Sequence, residues 1–158
     1  MSETINFGTI SKTVLPGPKK YPYYVEMPVA ENRVERFLEA FAAVLRYSDY
    51  KPLLDSYSKS RPKCSRCAVA CPVFQATKDE RDVPCYRSGL LLDTYEHYFT
   101  IGGWRKSRPA GGFELTEEII DEMADGFYRC TACRRCTREC PLSIDHALVT
   151  HLGRYILS

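Results

Sequence analysis

With 158 residues, 44% of them hydrophobic, the chain has the length of one domain and material for only a modest apolar core, so something besides apolar burial is expected to help hold it together. A formal charge of +2 lacks the basic excess of a nucleic-acid binder, and no stretch approaches the roughly 18 uninterrupted apolar residues of a membrane span. Eight cysteines would suit a secreted disulfide scaffold, but the first residues, Met1 to Gly8, show no basic region followed by an apolar one, so the chain is read as cytoplasmic with reduced thiols, docking on a membrane only through a partner.

Two parts are expected, an extended segment over 1–30 and a helical domain over 31–158. The first carries Pro16, Pro18, Pro22 and Pro28 among Tyr21, Tyr23 and Tyr24, a mixture that resists helix. Its apolar residues Phe7, Ile10, Val14 and Leu15 exceed what a solvated tail needs, so it either packs on its own domain or wraps a partner. From Glu31 to Tyr47 the positions Val34, Phe37, Leu38, Phe41, Val44 and Leu45 repeat at helical spacing and predict an amphipathic helix. A second helix is expected from Ser88 to Phe99, stopping at Gly102-Gly103, with a loop over Trp104 to Gly112. Thr116 suits an N-cap, Glu117 and Glu118 a first turn, and Ile119, Ile120, Met123 and Phe127 a stripe running up to Cys130. The last helix is placed from Ser143, with Asp145 in its first turn and Leu148, Leu152 and Tyr155 following; its pattern runs to Ser158 without a glycine or proline stop, as in a longer chain or a helix docked elsewhere. No window alternates with period two, so the fold class is all-α.

The cysteines carry the chemistry. Cys130-x2-Cys133-x2-Cys136-x3-Cys140-Pro141 matches the bacterial ferredoxin run, in which three thiolates bind one cubane and the fourth cysteine, followed by proline at the mouth of the next helix, ligates a second cluster. Cys64-x2-Cys67-x3-Cys71-Pro72 is the same run with Arg61 where the leading cysteine belongs. By this crossover, Cys71 completes the cluster of Cys130, Cys133 and Cys136, and Cys140 joins that of Cys64 and Cys67. The second set is one thiolate short, and Cys85, in Asp82-Val83-Pro84-Cys85-Tyr86, is the only cysteine left to supply it. Two outcomes stay open: Cys85 ligates and both clusters are [4Fe-4S], or it is core packing and the second is [3Fe-4S] or keeps an open iron. Structural zinc sites use two cysteine pairs about a dozen or more residues apart, which fits the compact second run poorly and the incomplete first one less poorly. A radical-generating Cys-x3-Cys-x2-Cys order is absent, and no βαβ pattern supports thioredoxin-like chemistry. Arg61, Lys63, Arg66, Arg134, Arg135 and Arg138 crowd the motifs and are read as offsetting cluster charge, about −2 for each oxidised four-thiolate cubane. His97, His146 and His151 are read as surface or satisfied residues, although His146 stands close enough to the second motif for a hydrogen bond to sulfur.

The two Cys-Pro motifs joined by helices resemble α-helical ferredoxins of the heterodisulfide-reductase C-subunit type over residues 34 to 157, with Tyr86-Arg87, Tyr98-Phe99-Thr100 and Leu115-Thr116-Glu117-Glu118 resembling the family's connecting region. Related modules occur in glycerol-3-phosphate and glycolate oxidase iron–sulfur subunits, in sulfite-reductase-associated membrane complexes and in succinate dehydrogenase. The resemblance implies an α-helical ferredoxin-like domain with two interleaved clusters that relays electrons between a flavoprotein or other donor and a catalytic or quinone-reducing subunit, often one with a cysteine-rich domain. It implies no catalytic residue in this chain and no nucleic-acid partner. The rival readings are a subunit whose open-coordination cluster binds substrate or quinone, and a zinc-stabilised interaction module.

Overall fold

The structure, a computed structural model, describes residues 31–101 and 113–158. The proline- and tyrosine-rich segment, both glycine pairs and the loop expected from Trp104 lie outside the described residues. Every regular element among the described residues is helical, in a unit spanning Asn32–Ser158.

Three amphipathic patterns fold much as their stripes predict. α1 (Arg33–Tyr47) buries Phe37 and Phe41 and packs Val34, Leu38, Val44 and Leu45 beside them. α2 (Tyr50–Ser60), which no stripe announces, adds the fully buried Leu54 with Tyr50 and Tyr57 at its edges. A short α3 (Pro72–Thr77) leads to α4 (Pro84–Phe99), which begins a turn before the expected Ser88 and ends before the glycine pair, with Thr100 extended. Pro84 sits at its first position, where the missing N–H has no helical partner to lose. α4 is the central helix, packing against α2, α5 (Glu117–Arg129) and the last helix, α7 (His146–Leu157). The Thr116 hydroxyl caps α5 by accepting the Ile119 N–H at 3.4 Å. A Cβ on Gly153 of α7 would overlap the Phe127 ring, so glycine is what lets α5 and α7 approach.

α7 does not start at Ser143. That residue is left-handed at φ 52°, and Asp145 caps the helix instead of lying in its first turn, accepting the Leu148 N–H at 2.9 Å. Pro141 accordingly opens a turn, not a helix, whereas Pro72 does begin α3. The main core joins α1, α2, α4, α5 and α7, and each fully buried side chain in it, such as Phe41, Leu91 or Met123, contributes about 1.5–3 kcal/mol relative to exposure. A separate small cluster of Cys67, Ala68, Val83 and Cys136 marks where the two cysteine motifs meet.

Candidate metal centre

The motifs fold as two copies of one local structure. In the first, α2 ends at Arg61, whose N–H returns to the Tyr57 carbonyl; in the second, α5 ends at Cys130, whose N–H returns to Phe127. After the next cysteine comes a left-handed residue, Ser65 at φ 54° and Arg134 at φ 59°. A short helix follows, a 3-10 turn over Arg66–Ala68 and α6 over Arg135–Glu139, each burying its second residue, Cys67 or Cys136. The copies close on Cys71 and Cys140, both extended and buried, whose N–H groups bond back to Ala68 and Thr137 at 3.2 and 3.3 Å. Arg61 thus holds the place of Cys130, and its guanidinium ties α2 to α4 through Asp93, Glu96 at 3.5 Å and the Gly89 carbonyl at 3.2 Å. At the second copy Arg154 of α7 clasps the carbonyls of Phe127 and Cys130. Ser65, Ala132 and Arg134 all hold positive φ without being glycine, a strain of roughly 1 kcal/mol or more each, of the kind that collects at ligand clamps.

The 3-10 turn packs on α6, which interlocks the two copies. A cavity of about 200 Å³ has Cys64, Cys67, Cys85 and Cys140 in its wall, and a narrower cleft has Cys71, Cys130, Cys133 and Cys136. Each Cys-Pro cysteine therefore lies with the other copy's thiols, and the leftover Cys85, on the first turn of α4, lies with Cys64 and Cys67. No cysteine of the eight pairs in a disulfide. Among the described residues no group of His, Cys, Asp or Glu converges on a single-ion site.

Polarity around the sulfurs favours thiolate at chosen positions. Cys67 donates to Cys85, which with burial pushes the Cys67 thiol up. The same bond and the Ser65 hydroxyl hold Cys85 down at about 6. Burial lifts Cys136 to about 11, while the Arg135 N–H on its sulfur lowers Cys133. His146 is buried in the wall of the wider cavity and bonds through Nδ1 to the Ser88 hydroxyl at 2.8 Å; burial holds it at about 4, so it is a satisfied neutral ring. The cleft is bounded by a residue to which the motifs assign no role, Arg87, whose Nη2 donates to Cys71 Sγ at 3.4 Å. Its sequence signal was slight, the pair Tyr86-Arg87 of the family-like connecting region, to which no cluster role was attached.

The profile of the 4Fe-4S dicluster domain family matches residues 62–144. The chain is 33% identical over 134 residues to the Hdr-like menaquinol oxidoreductase iron-sulfur subunit 2 of Archaeoglobus fulgidus, an alignment covering 84% of this chain and 23% of that protein. It is 31% identical over 153 residues to the Hdr-like menaquinol oxidoreductase iron-sulfur subunit of Archaeoglobus profundus, covering 96% and 25%. The glycolate oxidase iron-sulfur subunit of Escherichia coli is 26% identical over 103 residues, 65% of this chain and 21% of its own length. The chain thus spans about a quarter of the length of these curated relatives. No solved structure matches it significantly. With two interlocked four-cysteine sites inside the matched segment, the chain belongs to the 4Fe-4S dicluster domain family, as a dicluster iron–sulfur protein like the C subunit of heterodisulfide reductase.

Proposed function

We propose that the chain is an electron-transfer module of a heterodisulfide-reductase-like complex, relaying electrons from a flavin or other donor subunit to a catalytic or quinone-reducing partner. One [4Fe-4S] cluster is held by Cys71, Cys130, Cys133 and Cys136, and the other by Cys64, Cys67, Cys85 and Cys140. The observation that supports this reading is the separation of all eight cysteines between two cavity walls, four to each and each wall drawn from both motifs. A cubane bound there supplies a one-electron couple that needs no proton or substrate bond at the protein. The chain's own residues orient the thiolates, bury Cys67, Cys71, Cys136 and Cys140, and leave Cys64 and Cys133 exposed, so each site has an edge facing outward. The helical domain from 31 onward would carry the relay and the segment over 1–30 would pack on it or reach a partner. No helix among the described residues is long and apolar enough to cross a membrane.

An open-coordination cluster finds no support in the position of Cys85 beside Cys67, nor a zinc module in the family match. Anaerobic purification with iron, sulfide and zinc analysis and low-temperature electron paramagnetic resonance tests the proposal. About eight irons and two four-iron signals are expected per chain. Stoichiometric zinc without sulfide would overturn it, and the proteins that copurify identify donor and acceptor.

A further inference from the structure

The dicluster reading leaves one buried cation unexplained. Arg87 is only 2% exposed. Nη2 reaches Cys71 Sγ at 3.4 Å and Nη1 the Gly126 carbonyl at 3.4 Å, while Nε has no hydrogen-bond partner. Space is kept for it, since a Cβ on Gly126 would stand 3.2 Å from Arg87 Cγ and Cδ. Its counterion, Asp82, is fully buried but 3.9 Å away, and its Oδ1 has no hydrogen-bond partner. The other carboxylate oxygen is occupied by the Thr77 hydroxyl at 2.7 Å and Arg129 at 3.3 Å. The guanidinium is therefore closer to the Cys71 sulfur than to its own counterion.

The wider cavity is arranged differently. Of the two cations in its wall, Arg61 is spent on two carboxylates, Asp93 and Glu96, and Lys63 is exposed to solvent, while its buried polar groups, Ser88 and His146, bond to one another. The two sites thus have matched ligand sets but differ in buried charge, which only the cleft carries, in Arg87.

We propose that Arg87 sets the reduction potential of the cluster carried by Cys71, Cys130, Cys133 and Cys136 above that of its neighbour, so that a single electron entering the pair comes to rest there. This rests on the ligand sets proposed above. Reduction adds one electron to the cluster and its thiolates, with no bond broken and no proton taken up. A fixed cation donating an N–H to a ligand sulfur stabilises the more negative state, and in a buried setting that stabilisation is weakly screened. Asp82 opposes the effect from farther away.

The test is a mediated potentiometric titration of the intact, anaerobically loaded chain, with dithionite as the one-electron reductant and paramagnetic resonance as the readout. Iron content is measured first: wild-type protein lacking two clusters would count against the dicluster reading, before any potential is compared. In the wild type, two one-electron steps are expected. Cys133→Ser should abolish the upper step and keep the lower; loss of the lower step instead overturns the proposal. Arg87→Gln should cut the ratio of reduced to oxidised cluster in the upper step at fixed potential at least tenfold, 59 mV for a one-electron couple, and leave the lower step in place, with Arg87→Lys recovering part of the shift. Should Arg87→Gln fail to load, Asp82→Asn decides, because removing the opposing carboxylate should raise the upper step. An Arg87→Gln protein with full iron and an unmoved upper step, or an Asp82→Asn step that stays or falls, overturns the proposal.

Discussion

Replacing Cys85 by alanine separates a ligand from a packing residue. Cys85 is half-buried in the cavity wall, and the change deletes one sulfur atom, so lost packing costs about 1 kcal/mol against a typical 5–15 kcal/mol of stability. The variant is therefore expected to fold, and its effect is read on the metal. Iron should fall from about eight to about seven per chain, with a three-iron signal replacing one four-iron signal and the cluster of Cys130, Cys133 and Cys136 unchanged. The repeat supplies a rescue. Arg61 occupies the place of Cys130 and lines the same cavity as Cys85, so Arg61→Cys in the Cys85→Ala background returns a fourth thiolate to that cavity. Its cost is the ion pairs to Asp93 and Glu96, whose side chains are 30% and 35% exposed. Solvent screening reduces that to about 1–3 kcal/mol, below the 3–5 of breaking a fully buried pair. Anaerobic iron analysis with resonance spectra of the oxidised protein decides both points. Full iron and unaltered spectra in Cys85→Ala would make Cys85 core packing, and a double variant still short of one iron would refute the equivalence of positions 61 and 130.

Removing iron should unfold the domain, because the ligands tie residues 64–85 to residues 130–140 and metal binding is then coupled to folding; helical circular dichroism that survives complete iron removal counts against this. Cys71→Ala, although in the first motif, should injure the cluster built on the second, and damage confined to the Cys64 and Cys67 site would sink the crossover. Cys133→Ser should lose its own cluster and make the other several-fold more labile to chelator, since α6 then loses the metal that anchors it against the 3-10 turn. An unchanged release rate for the remaining iron argues that the sites are independent. Gly153→Ala drives a methyl into the Phe127 ring and should lower stability by about 1–3 kcal/mol in denaturant unfolding of the loaded protein; an unmoved midpoint means that α5 and α7 pack more loosely than described.

The all-α class and the courses of α1, α5 and α7 were legible because one-sided stripes such as Val34, Phe37, Phe41 and Ile120, Met123, Phe127 leave a helix one way to bury itself. α2 was not, since Leu54 is its only buried residue and serines such as Ser56, Ser58 and Ser60 are weak helix formers, two of whose hydroxyls bond back to helical carbonyls in the fold. The start of α7 was misplaced because Ser143 and Asp145 are both good caps, and only the tertiary contacts of Asp145 with Thr137 and Arg134 select it. The proposed pairing of cysteines across motifs draws on two other signals, the crossover of the ferredoxin run for Cys71 and Cys140 and a count of thiols that leaves Cys85 for the incomplete first copy. Arg87 was hidden because a single cation is ordinarily a surface residue, and its burial depends on Gly126, 39 positions away in the chain.

The placement of α4 explains why the two copies are not equivalent. Two half-sites related by repetition alone would hold two similar clusters, and a relay between similar centres has little internal preference for direction. α4 enters between the copies with Pro84 at its first position, Cys85 toward the wider cavity and Arg87 toward the cleft. Residues two apart on a helix point to nearly opposite sides, so one turn delivers a thiol to one cavity and a cation to the other. Arg61 then becomes intelligible. With Cys85 as the proposed fourth thiol, position 61 is free to hold α2 against α4 through Asp93 and Glu96, and this fixes the helix whose first turn makes the two sites different.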